Sequence, residues 1–244
     1  MYYHFIIIII QMFYLLFGLI AWVYYGTKLY DKTNKNFDIA TLFNSVTHAS
    51  IVVLSYLIGI PGTVIYYITI SYYIIDTCYE LISLIPFKSE KPLKFRLYNL
   101  GILIHHVLII YSIKYITDEL SGKYIFYAFY LAELSNFPMY AVQYLKKTKY
   151  QNQIVVNLLV ILEIIAYTYL RLYLCGYQSY LLLFVPGIPI TVILTSWAMI
   201  IISAFWTYKL VMQIYGNKHK QEVVNEHKQN EEKVGSQKVV SLSQ

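Results

Sequence analysis

Residues 153–175, QIVVNLLVILEIIAYTYLRLYLC, form an apolar block with two charged side chains, Glu163 and Arg171. At 1.5 Å per residue, a helix of this length crosses the roughly 30 Å hydrocarbon core of a bilayer. The sequence therefore predicts an all-α transmembrane protein with about seven spans. The other six predicted spans cover residues 4–26, 41–60, 63–86, 97–117, 122–145 and 190–215.

The composition excludes a soluble globular protein. Of the 244 residues, 58% are apolar and 13% are charged, against about 25% charged residues in soluble domains. The net charge of +6 would suggest nucleic acid as a partner of a soluble protein, but in a membrane protein it first reflects orientation. Cys78 and Cys175 lack the paired spacing of a disulfide framework or a zinc site.

Span positions divide the chain into three regions. Residues 1–36 contain a first span that we expect to be retained, because it is too long for a signal-peptide core and lacks a basic start. Residues 37–215 form a multi-span domain, and the polar tail 216–244 is expected to be disordered. Residues 180–189 are apolar but contain Pro186 and Pro189, which favours a re-entrant or interfacial piece.

The basic residues predict the orientation of the spans. The loops after spans one, three and five and the tail share one side, and the positive-inside rule makes that side cytosolic, with the C-terminus. Clusters such as Lys88 to Arg96 and Lys146 to Lys149 lie there, whereas the other side has Lys114, Lys123 and Arg171. Lys218 and Lys220 at the start of the tail are expected to contact anionic lipid headgroups, not nucleic acid.

Ionisable residues inside the spans are candidate functional groups, because an ionisable side chain facing lipid costs several kcal/mol. Counting from the span ends places all of them at a similar depth, about 12–18 Å from the cytosolic side. We therefore predict one buried layer near the midplane. Its candidates are His48, Asp76, His105, His106, Glu133 and Glu163.

Helical spacing predicts which faces these residues share. His48 shares a face with Asn44 and Ser45, and Glu133 shares one with Asn136. His105 aligns with Tyr98 and Ser112, whereas His106 has mostly Ile and Leu at the same offsets. We therefore expect His105 to face the interior and an imidazole at His105 or His48 to pair with Asp76.

Four interpretations of this layer are open. The polar residues hold the helices together, contact a substrate or switch conformation, catalyse acyl transfer, or bind a metal. Two carboxylates with two or three imidazoles exceed what packing needs, which favours the second. No metal or cofactor is predicted, because adjacent histidines point about 100° apart on a helix. Arg171 is expected to snorkel or to face Glu163 and not to clamp a substrate.

Several short motifs occur in order, about one to a span. They are Asn44, Ser45 and His48, then SYYIID at 71–76, ILIHHVLIIYS at 102–112, AELSNFP at 132–138 and an aromatic-rich run ending at Arg171. In this order the chain resembles the TLC-domain membrane proteins, the family of the ceramide synthases and the translocating-chain-associated proteins. AELS after the histidine pair is most similar to the branch of TLC-domain-containing protein 4.

The resemblance implies six helices around a cavity, with one extra span outside. It also implies a protein of the endoplasmic reticulum or another endomembrane that handles or senses membrane lipids, both phospholipids and sphingolipids. If the gene is viral, that endomembrane would belong to the host cell. His48, Glu133, Asn136 and Arg171 would then contribute to binding.

The resemblance also leaves two alternatives. A ceramide-synthase-like N-acyltransferase would use acyl-CoA, with His105, His106 and Asp76 as catalytic residues. It comes second because the loop 114–123 lacks the His-Asp-x-x-Asp run of the synthases and their homeobox-like insert is absent. A purely structural or transport bundle comes third, since a transporter would have broken helices near the midplane.

Overall fold

The computed structural model describes residues 2–84, 93–150, 152–212 and 214, with side chains described from residue 10 to 81 and from 100 onwards within those ranges. Within that part of the chain the ordered elements are helices and no strand occurs. The helices are α1 (Tyr2–Lys32), α2 (Phe37–Leu57), α3 (Gly62–Leu84), α4 (Leu93–Ile113), α5 (Gly122–Leu134), α6 (Asn136–Lys147), α7 (Gln153–Ala166), α8 (Gly176–Leu182) and α9 (Ile190–Met212). A 3₁₀ turn (Lys114–Thr117) follows α4, and a π-helical segment (Tyr167–Cys175) joins α7 to α8.

Five described helices are long and apolar enough to cross a membrane, which confirms a membrane-type helical fold. They are Ile10–Lys32, Phe37–Leu57, Leu100–Thr117, Gln153–Leu182 and Ile190–Met212. The other two predicted spans, 63–86 and 122–145, fall short for different reasons. Helix α3 has 23 residues but carries several tyrosines and an acidic pair, and the segment from 122 is divided into α5 and α6.

Local sequence explains most of the helix ends. Asn34 and Lys35 have positive φ after α1, and the Asn36 side chain caps α2 by accepting from the Ile39 N–H at 3.2 Å. Gly59, at φ +75°, ends α2 in the left-handed conformation that glycine adopts without strain. These turns set α1, α2 and α3 against each other as neighbours.

Asp118 organises the turn before α5. Its Oδ2 accepts hydrogen bonds from the Ser121 hydroxyl at 2.7 Å and the Ser121 N–H at 2.8 Å. The hydroxyl bond first, and then the backbone bonds, hold the pKa of Asp118 below its ordinary value because they favour the ionised form. The turn thereby directs the chain from the 3₁₀ segment into α5.

The break between α5 and α6 lies at Ser135. Pro138 has no N–H, so the Leu134 carbonyl loses the donor that a continuous helix would supply. The Ser135 hydroxyl instead donates to the Ala132 carbonyl at 2.7 Å. As a result, backbone carbonyls near the centre of this span become available to side chains of other helices.

The sixth predicted span is longer than the expected 153–175. Helix α7, the π-helical segment and α8 run on from Gln153 to Leu182, so residues 180–182 belong to this helix and not to a separate re-entrant piece. Turns at 183–187, with Gly187 at φ +74°, then lead to α9. The polar residues Gln178 and Ser179 hide this extension from hydropathy, yet both are buried in the fold.

Close helix contacts rely on two glycines. A Cβ added to Gly18 in α1 would lie 2.3 Å from the Ser71 Oγ in α3, and one added to Gly122 would lie 2.4 Å from the Ile116 carbonyl oxygen. Helix α1 therefore packs tightly on α3, and α5 begins directly against the 3₁₀ turn. Neither glycine can be replaced without moving a neighbouring group.

The distribution of polar and apolar side chains is the reverse of that in a soluble protein. Residues such as Phe13, Phe17, Leu158 and Phe184 are more than half exposed, while His48, Glu133 and Arg171 are at most 4% exposed. Large exposed apolar surfaces mark contact with a membrane or a partner. Together with five membrane-length helices, this pattern fits an integral membrane protein.

The contacts divide the chain into two units, Met1–Ala204 and Phe205–Gln244. The first unit contains every helix up to α8 and the greater part of α9. In the second, the Lys209 Nζ lies 4.4 Å from the centre of the Phe205 ring. The predicted tail 216–244 and the basic loop at 88–91 lie outside the described residues.

Candidate functional site

Glu133 is the centre of a buried hydrogen-bond network. The Tyr73 hydroxyl from α3 donates to Glu133 Oε1 at 3.0 Å, and the Asn136 Nδ2 donates to Oε2 at 3.1 Å. His48 Nδ1 from α2 lies 3.5 Å from Oε1. Three helices and the start of a fourth thus converge on one carboxylate, and the spacing of Glu133 and Asn136 brings them together as expected.

Arg171 extends this network from the π-helical segment. Its Nη2 donates to Asn136 Oδ1 at 2.6 Å and to the Ala132 carbonyl at 3.0 Å, and its Nε donates to Ser135 Oγ at 2.6 Å. Arg171 therefore does not snorkel as expected, and its hydrogen bonds go to residues of the α5–α6 region and not to Glu163. The break at Ser135 provides acceptors opposite Arg171, and a sequence pattern cannot show that neighbourhood.

His48 is held by a stacked aromatic ring and by a hydrogen bond to α3. It stacks on Tyr72 with ring centres 4.0 Å apart, and its Nε2 lies 3.3 Å from Thr69 Oγ1. The Tyr72 hydroxyl in turn donates to Ser45 Oγ at 2.9 Å. The predicted polar stripe of α2 therefore faces the interior, and it includes Asn44, which is 1% exposed.

Asp76 pairs with His106, not with His105 or His48 as expected. The His106 Nε2 lies 3.4 Å from Asp76 Oδ2, and its Nδ1 lies 3.3 Å from Thr77 Oγ1. These two polar contacts of a side chain that is 5% exposed show that the expectation of an apolar setting among Ile and Leu is also wrong. Successive residues point about 100° apart, and α4 turns His106 toward α3 while His105 faces another side.

His105 faces a cavity that α4 shares with its neighbours. One face of α4 lines this cavity through His105, Ile109 and Ser112, which agrees with the predicted alignment of His105 and Ser112. The empty volume, including the open space at its entrance, is about 810 Å³. The remaining walls come from α3, α5, α6, the π-helical segment, α8 and α9.

The cavity has a polar end and an apolar end. Five polar side chains lie at the first, and the rest of the lining is mostly Ile, Leu, Phe and Met, with three serines among them. Glu133 and Ile125 both line it, eight residues apart on α5, so the cavity follows the helix for about 12 Å. The polar end contains Tyr73, His105, Glu133, Asn136 and Arg171.

The structure thus divides the predicted layer between two groups. His48, Glu133, Asn136 and Arg171 belong to one network, and Asp76 pairs with His106 beside it. Tyr73 separates them, since its hydroxyl bonds to Glu133 while its ring packs edge-on against His106 at 5.2 Å. Glu163, on α7, is buried at 4% exposure.

Sequence reasoning missed three contributors, Tyr73, Ser135 and Tyr167. Tyr73 lies three residues before Asp76, a spacing that already places it on the same face. Ser135 accepts from Arg171, which lies on another helix. The Tyr167 hydroxyl donates to Asn136 Oδ1, also on another helix, at 3.2 Å. No local pattern predicts these two contacts.

The part of the chain that the structure describes contains no set of metal ligands. No three His, Cys, Asp or Glu side chains lie there close enough to hold one ion. Comparison of the chain with protein-family models, curated proteins and solved structures gives no match.

Proposed function

We propose that this chain is a multi-pass membrane protein of the TLC-domain type that binds a membrane lipid in its central cavity. In this proposal α3 and the α5–α6 pair also cross the membrane, giving seven spans. Helix α1 is the extra span, because its main contacts among the described residues are with α2 and α3 and none of its described side chains lines the cavity. The other six spans form the bundle.

The two-ended cavity carries the proposal. Its polar end lies among side chains that hydrogen-bond to one another, and its apolar end provides a wall suited to an acyl chain. A lipid with a polar head and an apolar tail matches both ends at once. Burying each CH₂ group of such a tail contributes about 0.8 kcal/mol relative to water.

The membrane and orientation are proposed from sequence. By the positive-inside rule, the lysine distribution favours a cytosolic C-terminus. The resemblance to TLC-domain proteins favours the endoplasmic reticulum or another endomembrane, with a role in the acyl composition of phospholipids or sphingolipids. Membrane lipids are then the main partners.

Lipid analysis of cells tests the proposed function. Cells expressing the wild-type chain should differ in acyl composition from cells expressing His105→Ala, which removes a cavity-lining side chain. Val107→Ala, on the same helix but 59% exposed, is the matched control and should behave as the wild type. Identical lipid profiles for the wild type, His105→Ala and cells without the chain would contradict the proposal.

Acyl transfer is the second candidate, supported by the position of His105 in the same cavity as Glu133. An imidazole there would act as nucleophile or base toward an acyl-CoA thioester, and the acyl group would pass to an amine of the acceptor with release of the CoA thiol. Purified protein in liposomes with acyl-CoA and a sphingoid base would then form N-acyl product. Lipid binding without turnover would favour the first candidate.

A further inference from the structure

We propose that the lipid in this cavity carries an oxyanion, a carboxylate or phosphate group on an apolar chain, and that Arg171 binds it. The inference rests on the lipid-binding function proposed above and specifies the class of lipid. It is drawn from the hydrogen bonds at the polar end of the cavity, where donors and acceptors are unequally engaged.

Arg171 has more N–H donors than the described part of the chain has acceptors for them. A guanidinium group carries five N–H bonds, of which the structure engages the one on Nε and those on Nη2. The two hydrogens on Nη1 donate to no residue in the described part of the chain. Because Arg171 lines the cavity and α5 and α6 hold its other nitrogens, Nη1 is the part of the fork available to a ligand.

Glu133, by contrast, has its oxygens occupied. Tyr73 and Asn136 donate to its two oxygens, and His48 approaches one of them. A cationic headgroup would have to compete with donors that the helices already hold in place. In the described part of the chain, the Nη1 hydrogens of Arg171 thus have no acceptor while both oxygens of Glu133 already accept, which suits a ligand that supplies acceptors.

An oxyanion satisfies these donors best. A buried guanidinium with unpaired N–H groups is unfavourable, and an oxygen of a carboxylate or phosphate would accept a charge-assisted hydrogen bond from Nη1. The apolar lining beyond Glu133 then receives the chain, with Ile109, Ile125 and Met199 among its walls. Free inorganic phosphate would lack this second contribution and should bind far more weakly.

Four amphiphiles with the same twelve-carbon chain test the inference on the purified wild-type protein in nonionic detergent. They are dodecanoate, dodecyl phosphate, dodecanol and dodecyltrimethylammonium, with binding measured by titration calorimetry. We expect at least one oxyanion to bind about tenfold more tightly than the alcohol and the ammonium compound. The carboxylate and phosphate arms identify which oxyanion the site prefers.

Two variants test the role of Arg171. Arg171→Lys keeps the charge but removes the fork, so the preference for oxyanions should fall about tenfold. Lys114→Gln, which removes one positive charge from an exposed side chain, should leave the preference unchanged. If Arg171→Lys does not fold, the wild-type series still decides the matter.

The outcomes separate this inference from the proposed function. Equal binding of all four amphiphiles to the wild type would overturn the preference for an oxyanion. If Ser196→Phe, which fills the cavity from α9, then bound none of the four, the proposed lipid-binding function would still stand. Tighter binding of the ammonium compound would also overturn the role of Arg171. No binding of any amphiphile would contradict both proposals.

Discussion

At the residue scale, the pair formed by Asp76 and His106 changes which mutations matter. Sequence spacing pairs Asp76 with His105 or His48 and leaves His106 among Ile and Leu, which predicts that Asp76→Asn perturbs the protein more than His106→Ala. The distance of 3.4 Å between their polar atoms makes them partners, so removing either leaves the other buried without its main contact. The two residues should therefore behave as a unit.

A double-mutant cycle tests this pair. Asp76→Asn and His106→Gln should each destabilise the protein by about 1–3 kcal/mol, and the double variant should cost less than their sum by about 0.5–3 kcal/mol. Unfolding in detergent, followed by circular dichroism, measures all three. Additive effects would show that the two side chains do not interact.

The choice between His105 and His106 shows the limit of sequence reasoning at this scale. Spacing correctly groups His105 with Ser112 and Glu133 with Asn136, since both follow from helix geometry. It cannot show which neighbour packs on each face of α4. The acceptors of Arg171 cannot be identified from the sequence for the same reason, because they belong to α5, α6 and the break between them.

At the element scale, glycine positions determine how closely helices approach. A side chain at Gly122 would meet the backbone of Ile116, which cannot move without displacing the 3₁₀ turn. Gly101 in α4 has open space around the position of a Cβ. The same substitution at the two sites should have opposite effects.

Gly122→Ala should destabilise the protein by about 1–3 kcal/mol, because a Cβ would overpack the contact. Gly101→Ala should stabilise it by up to about 1 kcal/mol, because alanine favours a helix over glycine. Thermal unfolding of both variants beside the wild type provides the measurement. A destabilised Gly101→Ala or a neutral Gly122→Ala would contradict the helix packing described here.

Hydropathy predicts the helices well and their interruptions poorly. A block such as 153–175 is detected because its mean hydropathy over the whole span is high. Residues 176–182 are not detected, because the polar side chains of Gln178 and Ser179 lower the mean hydropathy although both are buried in the fold. The division at Ser135 has a local signal in Pro138, but the π-helical turn that carries Arg171 has none. It depends on how α7 packs on α6 and how the π-helical segment packs on α5.

At the scale of the whole molecule, the number of spans determines on which side of the membrane each loop lies. If α5 and α6 together cross the membrane once, residues 118–121 and 148–150 face opposite sides. Single cysteines placed at Leu120 and Tyr150, both exposed, in a chain whose native cysteines are replaced, should label differently with an impermeant maleimide on sealed vesicles. Equal labelling of both positions would show that α5–α6 does not span.

The central claim for the molecule is that the cavity between α4, α5 and α9 holds an amphiphile inside the membrane. Ser196 lines this cavity from α9, while Leu194 on the same helix is 61% exposed. Phenylalanine at the first position should occupy the space of the ligand, and at the second it should only contact lipid. The two variants are therefore matched in chemistry and differ in site.

Native mass spectrometry of protein purified in nonionic detergent measures this occupancy directly. We expect the wild type and Leu194→Phe to retain one bound amphiphile per chain and Ser196→Phe to lose it, with all three equally folded by circular dichroism. A wild type without bound amphiphile, or a Ser196→Phe variant that retains it as fully as the wild type, would contradict the central claim.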